Sequence, residues 1–232
     1  MATPGSAPLI RACWLSWLAV ATVDQAEVAK ALGLTDIREI TWADGVELIN
    51  EVAHDEEEPF SVVVVTPPMR GWTLVVGPYF GLPCPQQTAQ VSELCQELSA
   101  RFGKAQLFFH SEQNDGEAWL IAERGRIIRR WISEYPQLAL GGPFGVERRL
   151  LDAYGITGRP EDLDPNSDLA GDWSATWGDC WATTVAAESS VDPTTATPGP
   201  DPIGIMRVAV APTLSAPLSE PIQAPGRPAA LP

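Results

Sequence analysis

The chain has 232 residues, 45% of them hydrophobic, with nine Trp, six Phe and three Tyr, enough to bury a sizeable core in one large domain or in one domain with a tail. Thirty acidic residues against fifteen basic ones give a formal charge of −15, a field that repels nucleic acid and anionic membrane and suits a basic protein partner. The four cysteines, Cys13, Cys84, Cys95 and Cys180, form no CxxC pair and read as reduced thiols of a cytoplasmic protein, not as a disulfide framework.

In chain order, "CWLSWLAVA" (13–21) reads as a buried first strand. It also has the outline of a signal-peptide core, but its two tryptophans are heavy for that role and a capped helix follows at once. That helix is "VDQAEVAKALG": Asp24 caps it, Glu27 stands at the capping-box position, Val23 and Val28 at the staple positions, and Gly33 ends it. "DIREI" is predicted as a short strand. A helix from Thr41 follows, with Val46, Ile49 and Ala53 inward. "HDEEE" (54–58) is a charged, solvated loop.

"SVVVVTPPMRGWTLVVG" holds two apolar runs around Pro67, Pro68 and Gly71, so it is predicted as two antiparallel neighbours, the valine run buried on both faces. "TAQVSELCQELSARFG" from Thr88 is an amphipathic helix whose inward face is Val91, Leu94, Cys95, Leu98 and Phe102. "AQLFFH" is the next strand. "GEAWLIAERGRIIRRWIS" is a hairpin turning at Arg124-Gly125, in which Trp119 is expected to meet Arg130 or Arg129 across the strands, according to the turn. Its four arginines (124, 126, 129 and 130) make it the most cationic stretch. A strand–helix–glycine–strand echo links 13–40 with 72–110.

"FGVERRLLDAYG" predicts a short helix with Val146, Leu150, Leu151 and Tyr154 inward. In "GDWSATWGDCW", Trp173, Trp177 and Trp181 stand four apart, but Gly171 and Gly178 break the helix. A helix after Gly178 would bury Trp181 with Val185, supported by Ala182 and Ala186, and leave Trp173 and Trp177 as more exposed loop aromatics. The resulting plan is an α+β fold with a mixed, largely antiparallel sheet. It comprises a core domain over 1–160, an acidic extension with a helix over 161–193, and a Pro/Ala-rich, mostly disordered tail over 194–232. "IGIMRVAVA" (203–211) is the one piece of that tail suited to joining the sheet.

Several stretches together ("VVVVTPPMRGWTLVVG", "LSARFGKAQLFFH", "GEAWLIAERGRIIRRW", "ALGL", "TWADG" and a late "SVDPT") resemble a family of uncharacterised bacterial proteins over roughly residues 10–193. The resemblance implies no catalytic residue. A Trp tends to precede SVDP in that pattern; here Ser189 does.

Catalytic signatures are sparse. His110, followed two residues on by Glu112, lacks the downstream Cys pair of a zinc deaminase, and no GxSxG or phosphate-binding glycine loop occurs. Cys84 has no basic neighbour in sequence to activate it. No cofactor, metal ligand or catalytic residue is assigned. The expectation is a non-enzymatic cytoplasmic module that binds a basic protein through its acidic surface, an immunity or antitoxin type being the sharpest version. Candidate binding residues are Trp173, Trp177, His110, Arg129 and Arg130. The alternative is an enzyme or small-molecule binder with a pocket near His110, the 124–130 arginines and the 78–85 loop.

Overall fold

A computed structural model of the chain describes residues 8–11, 14–52, 61–77, 80–112, 116–164, 167–168, 181–197 and 204–212. Eight strands form one sheet: β1 (Trp14–Val20), β2 (Thr35–Ile40), β3 (Val62–Val65), β4 (Thr73–Val76), β5 (Lys104–Ser111), β6 (Gly116–Glu123), β7 (Arg126–Ile132) and β8 (Met206–Val210). Their order is β2-β8-β3-β4-β1-β5-β6-β7. The fold is α+β as expected, and every neighbouring pair is antiparallel.

Among the described residues five helices cover the two faces: α1 (Gln25–Ala31), α2 (Trp42–Val52), α3 (Thr88–Phe102), α4 (Gly145–Ala153) and α5 (Trp181–Ser189). Side chains alternate along each strand, so β1 feeds both layers. Leu18 and Val20 pack with Val28 of α1 and with Val91, Cys95 and Leu98 of α3. Leu15, Trp17 and Ala19 pack with residues of α2, α4 and α5. Burial on both faces is why the central strands read as unbroken apolar runs such as Val62–Val65.

The local signals are realised where they were strongest. The Asp24 carboxylate accepts the Glu27 N–H at 3.0 Å, capping α1. The β3–β4 pair forms in antiparallel register, Val64 opposite Val76. The echo in the sequence corresponds to two passages, β1–α1–β2 and β4–α3–β5, whose helices lie on the same face. Alternation of direction makes each joined pair parallel, though not adjacent: β4, β3 and β8 separate the first pair and β1 the second.

In the C-terminal region the piece suited to joining the sheet does so. Residues 206–210 are an interior strand, Val208 lying opposite Val64 of β3 on one side and Arg38 of β2 on the other. The strand has apolar side chains for both layers, Met206 for one and Ala209 for the other. Gln25 secures its start, its amide donating to the carbonyls of Thr66 at 2.8 Å and Ile205 at 2.7 Å. Met206 also occupies the space above Gly45, where any Cβ would collide with its sulfur, so α2 lies close upon β8. One strand of the sheet thus comes from beyond residue 194.

The hairpin register also differs. Arg124 (φ 48°) and Gly125 (φ 78°) form a two-residue turn of the hairpin-favouring kind. The pairing then slips by one residue between Ile121 and Ala122, leaving Ile128 unpaired, and Trp119 stands opposite Trp131 instead of an arginine. The bulge turns Arg129 and Trp131 to the face that holds Trp119, and sends Arg130 to the other.

Candidate functional site

Two polar constellations lie between the β5–β6–β7 end of the sheet and the α4/α5 layer. His110 and Glu117 are directly opposed on β5 and β6, with His110 Nδ1 2.6 Å from Glu117 Oε1. The other carboxylate oxygen accepts the Ala182 N–H at 2.7 Å, so Glu117 satisfies a donor in the first turn of α5. At the far end of that helix Ser189 Oγ donates to Gln106 Oε1 at 3.0 Å. Burial pulls the His110 imidazole down, but hydrogen bonding and charge from Glu117, with Glu112 and Asp192 nearby, outweigh it and raise its pKa above the ordinary value. Burial raises the Glu117 carboxyl, while His110 and the Ala182 N–H draw it back in part. Asp192 of the SVDPT stretch is itself engaged, accepting from Thr194 N–H and from the hydroxyls of Thr194 and Thr195.

The second constellation is centred on Arg129, which is fully buried. Its Nε donates to Glu147 Oε1 at 3.0 Å and its Nη2 to the same oxygen at 2.7 Å, while Nη1 donates to Glu161 Oε1 at 2.8 Å and to the Gly141 carbonyl at 3.0 Å. The guanidinium lies 5.5 Å from the Trp131 ring centre. Trp119 Nε1 donates to Glu147 Oε2 at 3.4 Å. Burial pushes the Glu147 carboxyl up, against the pull of Arg129. Burial also works to raise Glu161, but Arg129 and Arg159 bring it below the usual carboxylate range. Every strong donor of Arg129 is thus spent inside the protein, an arrangement that fixes α4 and the 159–162 turn to the sheet.

Arg130 does not join Arg129. On the opposite face it donates from Nε to the Leu138 carbonyl at 2.8 Å and from Nη1 to Ser92 Oγ of α3 at 2.9 Å. Trp173 and Trp177 lie outside the described residues, as do Cys13, Cys180, His54 and residues 78–79 of the 78–85 loop. Cys84 gives its hydrogen bond to Gln86 Oε1, and burial pushes the Cys95 thiol up to about 12, where it is inert near neutrality. Trp181 is buried as expected, with Tyr154 at 5.7 Å between ring centres. Glu147, the partner that holds Arg129, was not anticipated. Within "VERRLL" it reads as one more solvent-facing charge, and only the register slip that buries Arg129 explains it.

At the opposite end of the sheet is an open cleft of about 380 Å³ lined by Glu39, Ile40, Thr41, Trp42, Asp44, Pro67, Gly204, Ile205 and Met206. Its lining is mostly apolar and includes the two carboxylates of Glu39 and Asp44. Trp42 is half-buried, its Nε1 donating to the Pro8 carbonyl at 2.7 Å. Nothing in the pattern of this region marked it as a site, because Gly204 and Ile205 reach it from more than 150 positions away in the chain. Among the described residues no helix is long and apolar enough to cross a membrane, and no group of three or more His, Cys, Asp or Glu is placed to hold a metal ion. Comparison of the chain with protein-family models, with curated proteins and with solved structures finds no match in any of the three.

Proposed function

We propose that this protein is a non-enzymatic, cytoplasmic binding module whose acidic surface engages a basic protein, an immunity or antitoxin type being the sharpest form of that role. The observation that carries the reading is where the charges lie. The ionisable groups that invite a chemical interpretation, His110, Glu117, Arg129 and Glu147, are buried and satisfy one another, whereas most of the carboxylates among the described residues are exposed. Such a surface steers a cationic partner and repels nucleic acid and anionic lipid.

The alternative, a small-molecule or enzymatic pocket at His110 and the arginines, has less support. Arg129 would have to leave Glu147 and Glu161 to meet a ligand, and Arg130 lies on the other face of the sheet. The test is titration of the protein with the basic products of its neighbouring genes at low and at high salt. A stoichiometric complex that weakens steeply with salt is expected. A tight complex indifferent to salt, or no complex with any of them, overturns the reading.

A further inference from the structure

The two edges of the sheet are finished differently. Along β7 the chain folds back, and Arg130 and Leu140 exchange backbone hydrogen bonds of 2.9 Å in both directions, closing part of that edge. Along β2 the described residues supply no such cover, and residues 35–39 are exposed. The cleft under Trp42 opens where β2 passes into α2. An open strand edge beside an apolar cleft is the geometry by which sheets accept an extended segment: the backbone pairs with the edge and a side chain enters the cleft.

Charge selects the occupant. Residues 35–58 carry nine acidic residues against the single Arg38, whereas the rest of residues 1–160 carries eleven acidic and twelve basic ones. Of the nine, Asp36 and Glu39 stand on the strand. Asp44, Glu47 and Glu51 form an exposed stripe on α2, spaced to share one helical face. Arg207 offsets Glu39 only from the inner side, at 3.5 Å. A second copy of this chain would bring like charges together along the paired edges, and the irregular register between Thr35 and Arg38 further disfavours self-pairing.

We infer that the β2 edge and the Trp42 cleft form the docking surface for an extended basic segment of a partner protein, which adds beside β2 and sets one Arg or Lys side chain into the cleft. The stem of that side chain lies on Ile205 and the Trp42 ring, and its cationic head lies between Glu39 and Asp44. This rests on the proposed function and gives it a location.

The test uses the full chain and a fluorescent octapeptide of alternating arginine and valine, followed by anisotropy at low salt. Asp44→Lys/Glu47→Lys is compared with Glu93→Lys/Glu97→Lys, the same charge change at exposed positions of α3 on the opposite layer. The α2 pair is expected to weaken binding by about tenfold or more, and the α3 pair by no more than about twofold. Equal losses in both pairs would overturn the location while leaving an acidic, partner-binding surface in place. If the unaltered chain fails to bind this peptide at low salt, location and function both fall. Self-association abolished by the α2 pair alone would replace the basic partner with a second copy of the chain.

Discussion

Replacing Arg129 with methionine keeps most of the stem and removes all the N–H donors. Glu147, fully buried, would be left with the Trp119 N–H at 3.4 Å as its remaining side-chain donor. Glu161 would keep Arg159 and so contribute less to the loss. Removing one member of a buried pair costs about 3–5 kcal/mol, because the other charge stays behind without compensation. The double change Arg129→Met/Glu147→Leu removes both charges and fills the space with apolar atoms, and is expected to lie within about 1 kcal/mol of the unaltered protein or above it in stability. The cycle, completed by Glu147→Leu, should then show a coupling of at least about 2 kcal/mol between the two positions. Urea unfolding followed by tryptophan fluorescence measures all the corners. The single variant's deficit should also shrink as pH falls into the carboxylate range. Without Arg129 the Glu147 carboxyl takes up its proton more readily, and once neutral it needs no counter-charge. A deficit for Arg129→Met below about 1 kcal/mol, or a double variant as unstable as the single, would refute the view that this network is desolvated and mutually dependent.

Ending the chain after Thr197 should lower Tm by more than about 5 °C in a circular-dichroism melt, since it strips an interior strand from between β2 and β3; an unchanged Tm would mean β8 contributes nothing. Trp181→Ala should cost about 3–5 kcal/mol in urea unfolding as a large-to-small change at a buried site, with Trp173→Ala and Trp177→Ala costing clearly less; three equal costs would contradict this. His110 is held above its unfolded pKa of about 6.5, so its contribution is fully present below that pH and is lost as pH rises through the folded value. Stability should therefore decline with rising pH above about 6.5, and the decline should be flatter in His110→Gln; identical slopes would exclude the His110–Glu117 pair as its source.

Elements governed by their own sequence were legible. The inward face of α3 is set by the spacing of Val91, Cys95 and Leu98, and the N-terminus of α1 by one side-chain cap, so both could be read without knowing the rest of the fold. The face of α5 followed from Trp181, Ala182, Val185 and Ala186 in the same way. What escaped depended on partners distant in sequence. The sequence points to an arginine opposite Trp119 because turn chemistry specifies register only up to the first irregularity, and the slip opposite Ile121 has no signature in "RIIRRW". Tyr154 was expected inward, yet it sits at the rim of Trp181 and is 38% exposed, because α4 ends there and the chain turns away. Of the residues singled out for function, His110 stands out in the sequence as a histidine two residues before Glu112, and Arg129 as one of the four arginines of the most cationic stretch. The structure gives each of them an internal acidic partner, and that partnership is what an isolated charge in a sequence does not disclose.

The place of β8 has a consequence for biosynthesis. Among the described residues β2 has no neighbour in the sheet except β8, and Thr35 and Val210 meet across 175 positions of chain. During synthesis β1, β3, β4, β5, β6 and β7 can find one another first, while β2 waits for its pairing with β8 until residues 206–210 have left the ribosome. The acidic edge is thus assembled only after β8 has been made. A chain that stops before residue 206 would carry most of the core but lack the β8 strand that holds the edge proposed to bind, and so would compete poorly with chains that contain it.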